Sequence, residues 1–199
     1  MRIIAFSDLH GDTHLAEVIS KEIKKFDFAI FCGDFSTFDE GVEQVANAIG
    51  KADNLLVVPG NHETDKEVEL VCKEYDWKFL HGRIFSYDSY TFCGCGGSSP
   101  TPFNTPFEFD EDDLENILQD FKKISDKIIL ITHCPPYGTS LDKTFSGEHA
   151  GSKAIREFIE EKQPILNICG HIHENAGKDD LIGSTKLVCV GKEGFPLTL

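Results

Sequence analysis

No apolar run in this 199-residue chain approaches the roughly 20 residues that a membrane-spanning helix needs. The apolar stretch at the N-terminus, Ile3 to Phe6, is too short for the core of a signal peptide. Basic residues are scarce, 19 against 34 acidic ones, and the net charge of -15 repels long polyanions such as duplex DNA and disfavours anionic membrane surfaces. A disulfide framework is also lacking. The seven cysteines, at 32, 72, 93, 95, 134, 169 and 189, are odd in number and several lie inside apolar runs, where cysteine behaves as a small buried hydrophobe. They read as reduced thiols of a cytoplasmic protein. Repeats, linkers and low-complexity tracts are missing too, so one domain spanning 1-199 is expected, able to bury roughly 70% of the surface its unfolded form exposes.

What is present is a set of short apolar runs that end in chemistry. Ile3 to Phe6 stops at Ser7-Asp8-Leu9-His10-Gly11, Phe28 to Cys32 at Gly33-Asp34, and Leu55 to Val58, after Pro59, at Gly60-Asn61-His62-Glu63. Ile128 to Ile131 stops at Thr132-His133-Cys134, and Ile165 to Cys169 at Gly170-His171-Ile172-His173. Between them lie helical patterns. Leu15, Val18, Ile19 and Ile23 recur at helical spacing, as do Val42, Val45, Ala46 and Ile49 before a Gly50 stop. Thr64 is the expected cap of a helix carrying Val68, Leu70, Val71 and Cys72, and Ser152 that of a helix carrying Ile155, Phe158 and Ile159. A helix over Asp112 to Lys123 completes the set.

Lys78 to Leu80, Arg83 to Tyr87 and Tyr90 to Cys93 read as short antiparallel strands, and Leu187 to Val190 as the final strand. Gly94 to Phe109, with three glycines, three prolines and three phenylalanines, reads as a long loop of the kind that forms lids or binding surfaces. Alternating strands and helices argue an α/β fold with largely parallel sheet, whose ligands sit outside the carboxyl ends of the strands. Five such ends would then converge on one rim.

Taken singly, Asp8, Asp34 or Asn61 is an ordinary strand-end turn residue or helix cap. Together, Asp8, His10, Asp34, Asn61, His133, His171 and His173 mix imidazole, carboxylate and one amide oxygen without a thiolate, which suits manganese, iron or zinc better than calcium. These seven ligands are too many for one ion and right for two sharing a carboxylate. His62 is left over, and imidazole can move a proton near neutral pH.

The motifs Asp-Leu-His, Gly-Asp, Gly-Asn-His-Glu, Thr-His and Gly-His-Ile-His, in this order from Asp8 to His173, resemble those of the calcineurin-like metallophosphoesterase superfamily. The resemblance implies a four-layer α-β-β-α sandwich, two mixed sheets flanked by helices. It implies that Asp8, His10 and His173 hold one divalent ion and Asn61, His133 and His171 another, that Asp34 bridges both, and that a bridging hydroxide attacks phosphorus. Manganese is the expected metal, with iron, zinc, nickel and cobalt suited to the same donors. His62 would orient the substrate and protonate the leaving oxygen. The implied activity is that of a phosphoesterase, here a phosphodiesterase on small or nucleotide-like substrates; the alternative is a metal-stabilised interaction or scaffold module of the same fold.

Outside the motifs, His149 and Ser152 lead into a helix N-terminus that favours anions and are candidate substrate contacts. Glu63 would tune hydrogen bonding around the site, His14 and His81 read as surface histidines, and Cys93-Gly94-Cys95 as plain thiols. Gly33-Asp34 is followed by Phe35-Ser36-Thr37-Phe38 without arginine, which argues against the protein Ser/Thr phosphatase branch. The expected partner is a small phosphate ester, with no membrane and no long nucleic acid; a homo-oligomer is compatible with the sequence, which does not specify one.

Overall fold

In a computed structural model that describes residues 1–38 and 40–199, the chain alternates β1 (Arg2–Phe6), α1 (Thr13–Glu22), β2 (Phe28–Phe31), α2 (Val42–Ile49), β3 (Leu55–Val57), α3 (Asp65–Glu74) and β4 (Lys78–Phe79). A hairpin of β5 (Ile84–Tyr87) and β6 (Tyr90–Cys95) follows, then α4 (Glu111–Gln119), β7 (Lys127–Thr132), α5 (Lys153–Lys162) and β8 (Leu166–Cys169). The last strands are β9 (Asp179–Ile182), β10 (Thr185–Cys189) and β11 (Phe195–Thr198).

The strands form two mixed sheets, ordered β11-β1-β2-β3-β4 and β5-β6-β7-β8-β10-β9. Residues alternate between two faces of a strand, and here both faces are apolar. In β1, Ile4 and Phe6 pack with Ile19, Val45, Val68 and other residues of the first three helices. Ile3 and Ala5 point the other way, into an interlayer core shared with Phe92, Ile129, Ile131, Ile168 and Val188 of the second sheet. The outer face of that second sheet, through Leu130, Cys169 and Leu187, meets Leu114, Leu118, Ile155 and Phe158 of α4 and α5. The layers are therefore helix, sheet, sheet, helix, as the resemblance implies. Among the described residues no helix is long and apolar enough to cross a membrane.

Local signals hold where they are chemical. Thr64 and Glu67 form a capping box at α3, Ser152 caps α5, and Gly50 ends α2 at φ 73°. Long-range pairing differs from the expectation in three places. β4 is parallel to β3, because α3 crosses over between them. Neither β9 nor β11 was expected, and β10 is not the last strand: β11 pairs antiparallel with β1, carrying Pro196 at a sheet edge, where a missing N–H is tolerated.

Candidate metal centre

β1, β2 and β3 of one sheet run parallel to one another, as do β7 and β8 of the other, and present their carboxyl ends where the motif residues follow. The loops after β1 and β2 lie side by side, held by Asp8 N–H to Gly33 O at 2.9 Å and His10 N–H to Asp34 O at 3.0 Å. Asp8, His10, Asp34 and His171 all adopt left-handed backbone, at φ 62°, 46°, 59° and 72°. Non-glycine residues enter that region at a cost and cluster in it where function constrains them.

Gly33 and Gly60 let the ends of β2 and β3 touch. A Cβ on Gly33 would strike the backbone of Gly60, and one on Gly60 would strike Asp34. Glu63, fully buried, clamps the same junction: its carboxylate accepts from Asp34 N–H at 2.8 Å, Gly60 N–H at 2.7 Å and the Ser36 hydroxyl at 3.1 Å. Burial, with the Asp34 charge adding, pushes the Glu63 carboxyl up to about 7 against the pull of those donors.

Two donor groups result, sharing Asp34. Ligand atoms of Asp8, His10, Asp34 and His173 lie within 4.8 Å of one another, as do those of Asp34, His133 and His171. Asn61 joins the second group, its Oδ1 standing 2.8 Å from His133 Nε2. His10 Nε2 is 3.1 Å from His173 Nε2 and 3.6 Å from Asp34 Oδ2, and His133 Nε2 is 3.4 Å from the same oxygen. Metal bonds of about 2.0–2.2 Å place neighbouring ligands roughly 3 Å apart, so the spacing suits a shared cation.

The ring nitrogens are oriented for that use. His10 Nδ1 donates to Ser36 O at 2.9 Å and His133 Nδ1 to Cys32 O at 2.6 Å. A carbonyl only accepts, so the proton sits on Nδ1 and each Nε2 is left to face the cluster. At His133 Nε2 the facing group is the Asn61 oxygen, which only accepts, so positive charge belongs between them, as a proton on Nε2 or as a metal ion in its place. The electrostatics agree. Burial opposes charging His133, yet Asp34 and then Asp8 outweigh it and carry the ring up to about 9. Burial likewise opposes ionising Asp34, but His133, with His10 and His171, holds its carboxyl below the usual carboxylate range. Asp8, buried and repelled by Asp34, rises to about 7. His171, buried beside His133, is pushed down to about 3 and stays a neutral donor. Among the described residues no lysine or arginine pairs with Asp8 or Asp34; their recorded ionic neighbours are histidines. The donor set therefore fits divalent metal.

His62 stands beside the cluster, its ring edge-on to His10 at 5.0 Å and to Phe38 at 4.9 Å. Its Nδ1 accepts the Phe38 N–H at 3.2 Å, which leaves the ring proton on Nε2, and burial lowers its pKa. A cleft of about 410 Å³ opens beside Asp8, His10 and His173, bounded by Gly191, the exposed Lys192 and Phe195.

Ser152 is not free to bind an anion. Its hydroxyl is fully buried and donates to Glu111 at 2.7 Å, and the same carboxylate accepts from Lys153 and Ala154 N–H at 3.0 and 2.8 Å. An internal anion already fills this helix N-terminus, which corrects the reading of Ser152 as a substrate contact. His149 is exposed and paired with buried Asp142, Nδ1 to Oδ1 at 2.7 Å, which leaves its Nε2 outward.

His81 is also corrected. It is no surface histidine: its Nδ1 accepts Gly96 N–H at 3.0 Å, and its ring stacks on Phe109 at 5.8 Å and meets Phe107 at 5.1 Å. The loop after β6 is thus docked, with Gly97 N–H on Pro59 O at 3.1 Å and Phe107 N–H on Asn61 O at 3.1 Å. Burial pushes the His81 ring from 6.5 down to about 4. It stays neutral when folded and charges in the unfolded chain, so its share of stability is intact above about pH 6.5 and lost as pH falls toward 4. Between about pH 7.5 and about pH 4.5 wild type should lose roughly 2–3 kcal/mol more than His81→Asn, which keeps an acceptor but no titrating ring. Denaturant melts at the two pH values check this, and equal losses would contradict it.

All seven cysteines are free and buried, and burial raises the thiols of Cys93 and Cys95 to about 12, as inert strand residues. Sequence reasoning missed Thr105, Glu108 and Asp142, whose partners are supplied only by the fold.

The family model for calcineurin-like phosphoesterases matches residues 1–175. An uncharacterized protein of Methanocaldococcus jannaschii is 36% identical over 94% of this chain and 87% of its own. Among solved structures, a Thermus thermophilus protein superposes with a TM-score of 0.75 at 17% identity, covering 96% of this chain and 90% of that one. A dimetal phosphatase of Danio rerio superposes with a TM-score of 0.64 at 11% identity, covering 96% and 88%.

Proposed function

This chain belongs to the calcineurin-like phosphoesterase family, and on that premise we propose that it is a cytoplasmic, single-domain phosphodiesterase that works with two divalent ions on small or nucleotide-like esters. The observation that carries the reading is the sharing of one buried carboxylate, Asp34, by two donor groups. Asp8, His10 and His173 would hold one ion, Asn61, His133 and His171 the other, and Asp34 both; manganese is the proposed metal. The fold of a protein named as a dimetal phosphatase supports the two-ion reading by likeness. When bound, the ions supply a water of lowered pKa as nucleophile and positive charge for the phosphoryl oxygens.

The chain's own residues supply the rest. The Nδ1 protons of His10 and His133, given to backbone carbonyls, keep both Nε2 atoms pointed inward. Glu63 holds the Asp34 backbone in its left-handed turn. His62, with its proton on Nε2, hydrogen-bonds the leaving oxygen as charge grows there. The cleft, within the size range of small-ligand sites, takes the organic part of the ester, with Lys192 offering the one positive side chain of its lining. His149, oriented by Asp142, is retained as a substrate contact.

Protein stripped with a chelator should lose turnover of bis(nitrophenyl) phosphate and regain it with manganese, and should act on that diester faster than on a phosphoserine peptide. Undiminished turnover in stripped protein would overturn the metal reading, and phosphopeptide turnover without diesterase activity would overturn the substrate reading. Tight metal binding with no hydrolysis of any ester would favour the interaction module instead.

A further inference from the structure

An asparagine amide has two ends of nearly the same shape, and only its oxygen can hold a cation. Turned by half a rotation, Asn61 would present NH₂ to the cluster and repel an ion. Something must therefore fix its direction, and the docked loop after β6 supplies it. Asn61 Nδ2 donates to Thr105 Oγ1 at 2.9 Å, and both residues are buried. Thr105 Oγ1 in turn donates to Glu108 Oε1 at 2.5 Å. The same carboxylate oxygen also accepts from Thr105 N–H at 2.8 Å and from the Thr101 hydroxyl at 2.6 Å.

The polarity of this chain of bonds runs one way. A carboxylate can only accept, so the single proton of the Thr105 hydroxyl is committed to Glu108. The oxygen of Thr105 can then offer only lone pairs to Asn61, which must answer with its NH₂. The amide oxygen is left facing His133, in the second donor group. Burial works to raise the Glu108 carboxyl, but its bonds from Thr101 and Thr105 hold it below the usual range, so the acceptor end stays ionised.

We infer that Thr105, polarised by Glu108, is a positioning residue that fixes the Asn61 amide with its oxygen toward the metal centre. The inference rests on the reading of Asn61 as a ligand. It makes the loop after β6 part of the ion site through hydrogen bonds, 44 residues along the chain from the ligand it orients.

The test is calorimetric titration of chelated protein with manganese, alongside melting curves. Thr105→Val removes the hydroxyl at nearly constant volume, and Thr105→Ala does so without risk of overpacking. Both should weaken the ion of the second group by roughly 10–100-fold and leave the first unchanged. Thr105→Ser and Glu108→Gln keep the hydroxyl and an accepting oxygen respectively, and should bind within a few-fold of wild type. Asn61→Ala should weaken the second ion at least as much, and adding Thr105→Val to it should cost nothing further, because the amide that Thr105 orients is gone. Wild-type affinity in both Thr105→Val and Thr105→Ala, with Asn61→Ala weakened, would overturn the relay while the ligand reading stands. Wild-type affinity in Asn61→Ala would overturn the ligand reading and the relay with it. Additive losses in the double variant would assign Thr105 a purely structural role and overturn the relay.

Discussion

Asp34→Asn should bind neither divalent ion tightly and lose hydrolysis by on the order of 10³-fold or more, about 4 kcal/mol of barrier, while remaining folded. The residue is the one carboxylate shared by both donor groups, so its charge is removed from two ions at once. The fold should survive for identifiable reasons. Asp34 sits at φ 59°, a left-handed region that asparagine tolerates better than most residues. The asparagine oxygen can still accept the His62 N–H that Asp34 Oδ1 accepts at 3.1 Å, and the Asp34 N–H donated to Glu63 belongs to the backbone. Metal analysis, melting curves and ester turnover on one preparation decide it. Two ions per chain with near wild-type turnover would show that Asp34 does not bridge.

His62→Ala should separate leaving groups. The ring belongs to neither donor group, so metal occupancy should be unchanged. With Nδ1 accepting the Phe38 N–H, the ring presents a proton on Nε2 and serves as a donor to the departing oxygen. Such help matters most for a poor leaving group, such as a ribose or alkyl alkoxide, and least for a phenol that leaves unprotonated. The loss should be on the order of 10²-fold or more on an alkyl or nucleotide ester and far smaller on a nitrophenyl ester of similar size. Equal losses on both would assign the ring to positioning or charge stabilisation, and lost metal would make it a ligand.

The five motif-bearing strands were legible because each is a short apolar run with its own local stop, whereas their division between two sheets was implied only by the resemblance of the motifs. These strands are apolar on both faces because helices cover one, at Phe31, Val57, Leu130 and Cys169, and the opposing sheet the other, at Ile30, Leu56, Ile129 and Ile168. The strands that went unread are those whose residues say little alone. β9 opens on Asp179-Asp180 and is a strand only through its pairing with β10, and β11 contains a proline and exists because β1 offers an edge. The two-residue β4 takes its direction from the crossover through α3, which no local pattern records.

At the site, the candidate ligands announced themselves by type and by position at strand ends. The residues that orient them did not. Glu111 fills the N-terminus of α5 from 41 residues upstream of Ser152, so a signal that reads locally as an anion site is already satisfied. Thr105 meets Asn61, and His81 meets Phe107 and Phe109, only after the loop has folded back onto the end of β3. Hydrogen-bond partners chosen by tertiary structure leave no periodicity in the sequence.

The most direct test of the two-ion centre is a manganese titration of chelated wild-type protein in which bound ions per chain and turnover of a phosphodiester are measured on the same samples. Two ions should bind per chain, and turnover should rise with the second rather than the first. Full turnover at one ion per chain, or with none bound, would contradict a shared Asp34 and the mechanism built on it.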